Sequence, residues 1–252
     1  MFMYIRAGAK EKKIARSFLD KLYNESMIDR YPKDDLGNIT KQSDPLTHKT
    51  YYSITIGSYG ISVDKDLNVL GFSYSNASAL NNRINEDEAV SLAKGYIEKI
   101  YDGECEFYSV NHQDKAKEAP YYTIIFSKVA NGYQLYGYDL SLNINKQTGK
   151  LDGYANPNVN KDIGDITINV DKDEAFQKVF EEFNTSYKDC TKNKIDTAFY
   201  CNSDDKQMEL CYIIEVSGND EEENEIKMRY FVSTENGEIK NNEKITVSNT
   251  IA

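Results

Sequence analysis

Apolar residues recur along this chain in two periods, one near 3.6 and one of 2, and blocks of the two alternate. From Asn85 the apolar positions are Ala89, Leu92, Ala93, Tyr96, Ile97 and Ile100, a spacing that lines one face of an α-helix. Asn85 offers a side-chain acceptor to the unpaired amides at the start of such a helix. Glu88, three residues on, completes a capping-box pattern. A shift of 86 residues puts Asp171 at the cap, Glu174 at the third position and Ala175, Phe176, Val179, Phe180 and Phe183 in the stripe. A shift of 78 in the other direction matches Ala15, Phe18, Leu19, Leu22 and Tyr23 to Ala93, Tyr96, Ile97, Ile100 and Tyr101, without the cap.

After each helical block the period drops to 2, as it does along a strand. In the middle block strand-like runs cover 104–110, 121–129, 132–145 and 150–154. Tyr136, Tyr138, Leu140, Leu142 and Ile144 are expected to face inward, with Asp139, Ser141 and Asn143 outward. The last two runs are joined by Asn145-Lys146-Gln147-Thr148-Gly149-Lys150, and the third block has Ser233-Thr234-Glu235-Asn236-Gly237-Glu238 at the matching place. Glycine accepts the left-handed conformation such a turn needs. The first block has Asn68 there, the next most tolerant residue.

These patterns predict an α+β chain of three tandem modules, each a helix packed on an antiparallel β-sheet, over 8–75, 84–156 and 168–245. The corresponding domains are 1–77, a degenerate copy, then 78–160 and 161–252. The copies differ in their loops: 34–49 in the first, 112–119 in the second and the acidic run 220–225 in the third. Residues 76–83 and 157–165, small and polar, read as linkers.

Charge narrows the partners. With 30 Lys+Arg against 41 Asp+Glu the net charge is -11, and no basic stripe runs through the sequence. That argues against nucleic acid and against anionic membrane surfaces. No stretch approaches the roughly 18 apolar residues that span a bilayer. Residues 1–6 are too short for a signal peptide, so the chain is either cytosolic or begins after a removed export signal. Trp is absent and Tyr numbers 20, which places many rings half-buried on sheet faces, polar tips outward.

The candidate chemistry is sparse. Cys105, Cys190, Cys201 and Cys211 form no C-x-x-C pair, and His48 and His112 are the only histidines, so neither a metal site nor a cofactor is expected. A Cys190–Cys201 bridge is conceivable in an oxidising compartment, against the alternative of buried thiols. Asp64-Lys65-Asp66-Leu67-Asn68 opens like a calcium loop, but Val69 stands where glycine belongs and Ser75 where a bidentate glutamate belongs. A β-turn explains the same residues. Asp220-Glu221-Glu222-Glu223 with Glu225 reads as a solvated loop rather than a cation site. No nucleophile–base pairing or catalytic signature is present, so no catalytic residue is assigned. Tyr121 and Tyr133 are the better candidates for an exposed aromatic binding surface.

Asp87-Glu88-Ala89 with Thr148-Gly149, and Asp173-Glu174-Ala175 with Asn236-Gly237, give a helix opening D-E-A and a T-G or N-G turn before a final short strand. This pattern resembles the PepSY and YcdB/YcdC-like repeats over most of 84–245, and the first copy loosely. The resemblance implies a helix on a curved antiparallel sheet, in the manner of cystatin-like folds. It also implies secretion or lipid anchoring upstream, and a role in binding or inhibiting a protein or peptide rather than in catalysis. Two alternatives stand beside it: a hydrolase with a carboxylate site between modules, and a structural spacer of the cell envelope.

Overall fold

The computed structural model describes residues 8–31, 37–43, 50–78, 81–111, 119–159, 161–202, 205 and 207–245. His48 and His112 lie outside them. Among the described residues the fold is α+β, with three helices and mostly antiparallel strands. It divides into two compact units, Met1–Lys128 with Tyr138–Val159, and Val129–Gly137 with Asn160–Ala252.

In the first unit, α1 (Ala9–Asn24) precedes an antiparallel meander of β1 (Asn38–Ser43), β2 (Thr50–Ile56), β3 (Tyr59–Asp64) and β4 (Val69–Tyr74). Helix α2 (Glu86–Ile100) then leads into β5 (Cys105–Asn111), β6 (Tyr121–Ala130), β7 (Tyr133–Asn145) and β8 (Leu151–Ala155). Gly71, Phe72 and Ser73 of β4 pair antiparallel with Ala155, Tyr154 and Gly153 of β8, which joins the two sets of strands. A single core results. Ala15, Leu19 and Leu22 from α1 and Ala89, Ala93 and Ile97 from α2 share it with Ile54, Ile61, Leu140, Leu142 and Ile144.

Local chemistry explains the ends of α2. Asn85 Oδ1 accepts from Glu88 N at 2.9 Å, and Asn85 N donates to Glu88 Oε2 at 2.8 Å, which satisfies two orphan amides reciprocally. Helix α1 has no side-chain cap, in keeping with its weaker sequence pattern. Leu92, Tyr96 and Ile100 are half-buried at the margins of the stripe. Tyr23, matched in sequence to Tyr101, is 46% exposed and leans on Tyr31 with ring centroids 5.4 Å apart. The buried line on α1 is Ala15, Phe18, Leu19 and Leu22, and Tyr23 falls beyond its edge.

In the second unit, β9 (Asp162–Ile163) and α3 (Lys172–Phe183) precede a meander of β10 (Lys188–Tyr200), β11 (Gln207–Asn219), β12 (Glu225–Ser233) and β13 (Ile239–Lys244). Two short pairings are parallel, an addition to the expected antiparallel sheet: β9 on β11, and Gln134 and Leu135 of β7 on Ala198 and Phe199 of β10. Asp171 caps α3 by accepting from Asp173 N and Glu174 N. Ala175, Val179 and Phe183 face Tyr212, Ile214, Val216, Met228 and Tyr230 across one side of the sheet. Phe180, expected in the core, is 38% exposed. The buried stripe runs i, i+4, i+8 through 175, 179 and 183, which leaves Phe176 and Phe180 on its flank, 6.3 Å apart.

The other side of that sheet carries a smaller cluster, Ala198, Tyr200, Cys211, Ile213 and Phe231, with Tyr136 packed against it. Leu140, Leu142 and Ile144 are buried as expected, but Tyr136 is only half-buried and Leu135 takes the buried place. The backbone turns left-handed at Gly137, φ 81, and the alternation changes phase there.

The turns have matching construction. Asn145 Oδ1 accepts from Gln147 N and Thr148 N, while Gly149 N donates to Asn145 O. Ser233 Oγ accepts from Glu235 N and Asn236 N, while Gly237 N donates to Ser233 O. Ahead of α2, Arg83 N and Ile84 N both donate to Lys146 O; ahead of α3, Asn169 N and Val170 N both donate to Thr234 O. Each hairpin turn thus holds the chain that enters its helix.

Candidate binding site

Within the first unit a polar recess of about 320 Å³ lies beside the β7–β8 turn. Three local structures build it. The chain leaving α1 contributes Ile28, Asp29 and Arg30; β3, β4 and the segment after them contribute Tyr59, Tyr74, Asn76 and Ser78; the turn contributes residues from Asn145 to Asp152. Leu151 N donates to Met27 O at 2.9 Å, and Lys150 Nζ to Ser26 O at 2.6 Å, so the turn is stitched to the end of α1. Lys150 also pairs with Asp29 at 3.3 Å.

Asn145 organises the floor. Its side-chain amide donates to Asp152 Oδ2 at 2.6 Å and to Ser78 O at 3.1 Å, while its carbonyl oxygen caps the turn. All of its hydrogen-bonding capacity is used. Asp152 is 7% exposed. Burial raises its affinity for a proton, and the Asn145 donor offsets part of that. Asp152 Oδ1 accepts no hydrogen bond among the described residues. Tyr59 donates to Arg30 O at 2.5 Å, and its ring centroid lies 5.2 Å from that of Tyr74. Burial, with Tyr74 alongside, pushes the Tyr59 phenol up to about 12. The Arg30 guanidinium is exposed and makes no hydrogen bond or ion pair among the described residues.

A second recess of the same unit, about 410 Å³, lies where α2 meets β5 and β6, and Tyr101, Cys105 and Phe107 line it. Cys105 sits opposite Lys128 in the strand register. Lys128 is 3% exposed, donates to Pro157 O and lies 5.5 Å from the Tyr101 ring centroid. Burial lowers its pKa to about 8. Tyr154, 4% exposed, has a hydroxyl with no partner among the described residues.

The residues singled out in the sequence are placed elsewhere. Tyr121, in the first unit, is half-buried at the start of β6 and lines neither recess. Tyr133, in the second unit, is half-buried with its ring edge-on to Phe199 at 6.1 Å. Asp64 is a turn residue. Its Oδ1 accepts from Asp66 N and Asn68 N, and its Oδ2 from Asn68 Nδ2 and Asn158 Nδ2. Both oxygens are therefore engaged with donors, not arranged for calcium. Asp220 repeats the pattern with Glu222 N, Asn224 N and Asn224 Nδ2, and Leu67 and Glu223 share the left-handed position at φ 70 and 64. Glu223 thus serves the turn rather than a cation.

None of the four cysteines forms a disulfide. Cys190 lies in β10 and Cys201 just past it, about 35 Å of extended chain apart at a strand's rise per residue, far beyond bridging distance. Burial and the neighbouring Glu209 push the Cys211 thiol up to about 12, which makes it inert at neutral pH. No group of three or more His, Cys, Asp or Glu positioned to hold a metal ion occurs among the described residues, and no described helix is long and apolar enough to cross a membrane.

The sequence missed Arg30, Asn145, Lys150 and Asp152 as a group because they come from two separate turns. Asn145 alone carried a signal, since it heads the turn that Ser233 heads in the third block. Asp152 reads in sequence as one more outward polar residue of a short strand.

A scan against protein-family models finds no match, and neither does a search of the curated proteins. Among solved structures, the Bacillus megaterium YpeB C-terminal domain is similar, with a TM-score of 0.55 at 16% identity over 94% of this chain and 96% of that one. At that identity the likeness is one of fold.

Proposed function

We propose that this is an extracytoplasmic, non-catalytic binding protein of PepSY-like build, made of three tandem helix-plus-four-strand modules, whose partner is a protein or peptide. The observation that carries the reading is the fold shared with a YpeB domain over nearly the full length of both chains. The element order α–β–β–β–β, met three times, and the paired turn-to-helix clasps at Lys146 and Thr234 support the tandem modules. The polar recess supports binding over cleavage. Acid–base hydrolysis of a glycoside needs two carboxyl groups with opposed roles across the substrate. Here Asp29 is ion-paired to Lys150, and Asp152 is held by Asn145 at the floor.

Two measurements test the reading. Fractionation of the producing cells should recover the protein with the envelope or the medium, and recovery in the cytosol would overturn the localisation. Cross-linking in intact cells, followed by mass spectrometry, should join the chain to one recurrent protein partner. Turnover of peptide or glycan substrates, abolished by Asp152→Asn, would replace binding with catalysis.

A further inference from the structure

We propose that the recess beside the β7–β8 turn receives the free carboxyl end of a peptide, with the carboxylate on the Arg30 guanidinium and a main-chain N–H on Asp152 Oδ1. The proposal deepens the binding reading and rests on it. It starts from a separation of spent and unspent groups. Lys150 is committed to Ser26 O and Asp29. Asn145 is committed to the turn, Ser78 and Asp152. Two groups of opposite character are left over on the same recess: an unpaired guanidinium and one oxygen of a carboxyl group that is 7% exposed.

A guanidinium offers a planar fork of donors matched to a carboxylate. The second oxygen of Asp152 is not among the sealed, unpartnered atoms of the fold, and a carboxyl oxygen in that position can accept an N–H or O–H from outside. A peptide terminus carries both partners on adjacent atoms, the carboxylate and the last main-chain N–H. The paired rings of Tyr59 and Tyr74 add an aromatic wall for the terminal side chain. At about 320 Å³ the recess is at the small end of the roughly 300–1,000 Å³ of ligand sites, which suits a chain end of a few residues and not a folded segment.

The charge of -11 does not oppose this. At physiological salt, charges beyond about 8 Å are largely screened. Of the two acids on the recess, Asp29 is paired with Lys150 and burial favours the protonated form of Asp152. A ligand with a single carboxylate meets local charge that is balanced, two acids against Lys150 and Arg30. A polyanionic ligand does not fit that balance.

The test is nuclear magnetic resonance titration of the full chain with three probes: trialanine as the free acid, trialanine as the C-terminal amide, and chitobiose. The free acid should shift the main-chain amides of Gln147 and Thr148, and the amide should shift them little. Arg30→Gln should weaken the free acid by roughly tenfold or more, and Arg30→Lys should recover part of it, since charge returns without the fork. Arg30 is exposed, so an unchanged spectrum away from the recess verifies the fold of both variants. Equal shifts from acid and amide, shifts from chitobiose alone, or none from any probe at millimolar concentration would overturn the proposal. Such a failure, with an in-cell partner still cross-linked, removes this site and leaves the wider binding reading standing.

Discussion

Asp64 shows how much one side chain does in a tight turn. Four donors converge on its two oxygens, three from within the turn and one from Asn158, and the residue is 5% exposed. Asp64→Ala strands those donors, so a loss of about 2–3 kcal/mol is expected in a urea titration. Asp220, its counterpart in an exposed loop, should cost less when truncated. The N–H of Asn224 holds the Asp220 carboxyl below the usual carboxylate range, so what it contributes persists at neutral pH and fades as the solution is acidified through its folded-state pKa. Calcium should leave the thermal midpoint unmoved, because neither aspartate has an oxygen to spare.

Lys128 works in the opposite direction. Its pKa falls to about 8 in the fold against about 10.4 in an open chain. Between those values the unfolded state binds more protons, so this residue makes the protein more stable as pH rises from about 8 to about 10.4. Below that window the buried ammonium is a standing cost. Lys128→Met should therefore compare more favourably with the wild type at pH 7 than at pH 10, by up to about 3 kcal/mol. Comparing the variant with the wild type removes the opposing effect of buried tyrosines such as Tyr59, whose raised pKa withdraws stability above pH 10 in both proteins. A difference that stays flat between the two pH values would show that Lys128 is not desolvated.

At the scale of the element, α3 separates what periodicity decides from what it leaves open. Apolar spacing defines a stripe wider than the strip of helix that meets the sheet, so its centre is legible and its edges are not. Phe183 is fully buried and Phe180 is 38% exposed. Phe183→Ala should cost about 3–5 kcal/mol and Phe180→Ala under about 1; equal losses would mean that the helix is rotated from the orientation described. The same limit applies to Tyr23 on α1. The β7–β8 and β12–β13 turns were more legible, because the chemistry that makes them is local: an Asn or Ser at the head and a glycine with positive φ near the end. In the first block the left-handed residue is Leu67 and not Asn68, whose side chain instead donates to Asp64. The recess was not legible at all, since Arg30 and Asp152 are brought together by the β4–β8 pairing and by the seam between Met27 and Leu151, neither of which leaves a mark on nearby sequence.

The molecule as a whole does not partition its cores as its sequence blocks suggest. Helices α1 and α2 share one hydrophobic cluster, and Tyr154 stacks on Phe18 at 6.1 Å, so residues 1–77 alone would uncover Phe18 and leave the β4 edge without its β8 partner. That fragment, made in isolation, should give the circular dichroism of an unfolded chain, and a cooperative melt would show that the first block stands by itself. The second unit, likewise, includes Val129–Gly137, whose Gln134 and Leu135 extend the β10 edge. Residues 161–252 on their own should therefore melt at a lower temperature than the same unit within the full chain.

The clasps at Lys146 and Thr234 bear on how far such a protein can drift. Each is made by a carbonyl oxygen receiving two amide hydrogens, groups that every residue other than proline possesses. Mutation at these corners changes what projects from the chain and leaves the fastening in place. The demand on heredity is then slight: an apolar stripe of suitable width, a small acceptor at the head of each turn, a glycine near its end. Shape is then the durable property and spelling is free to wander, so that one fold can be written in chains that share about one residue in six, as this chain and the YpeB domain do at 16% identity.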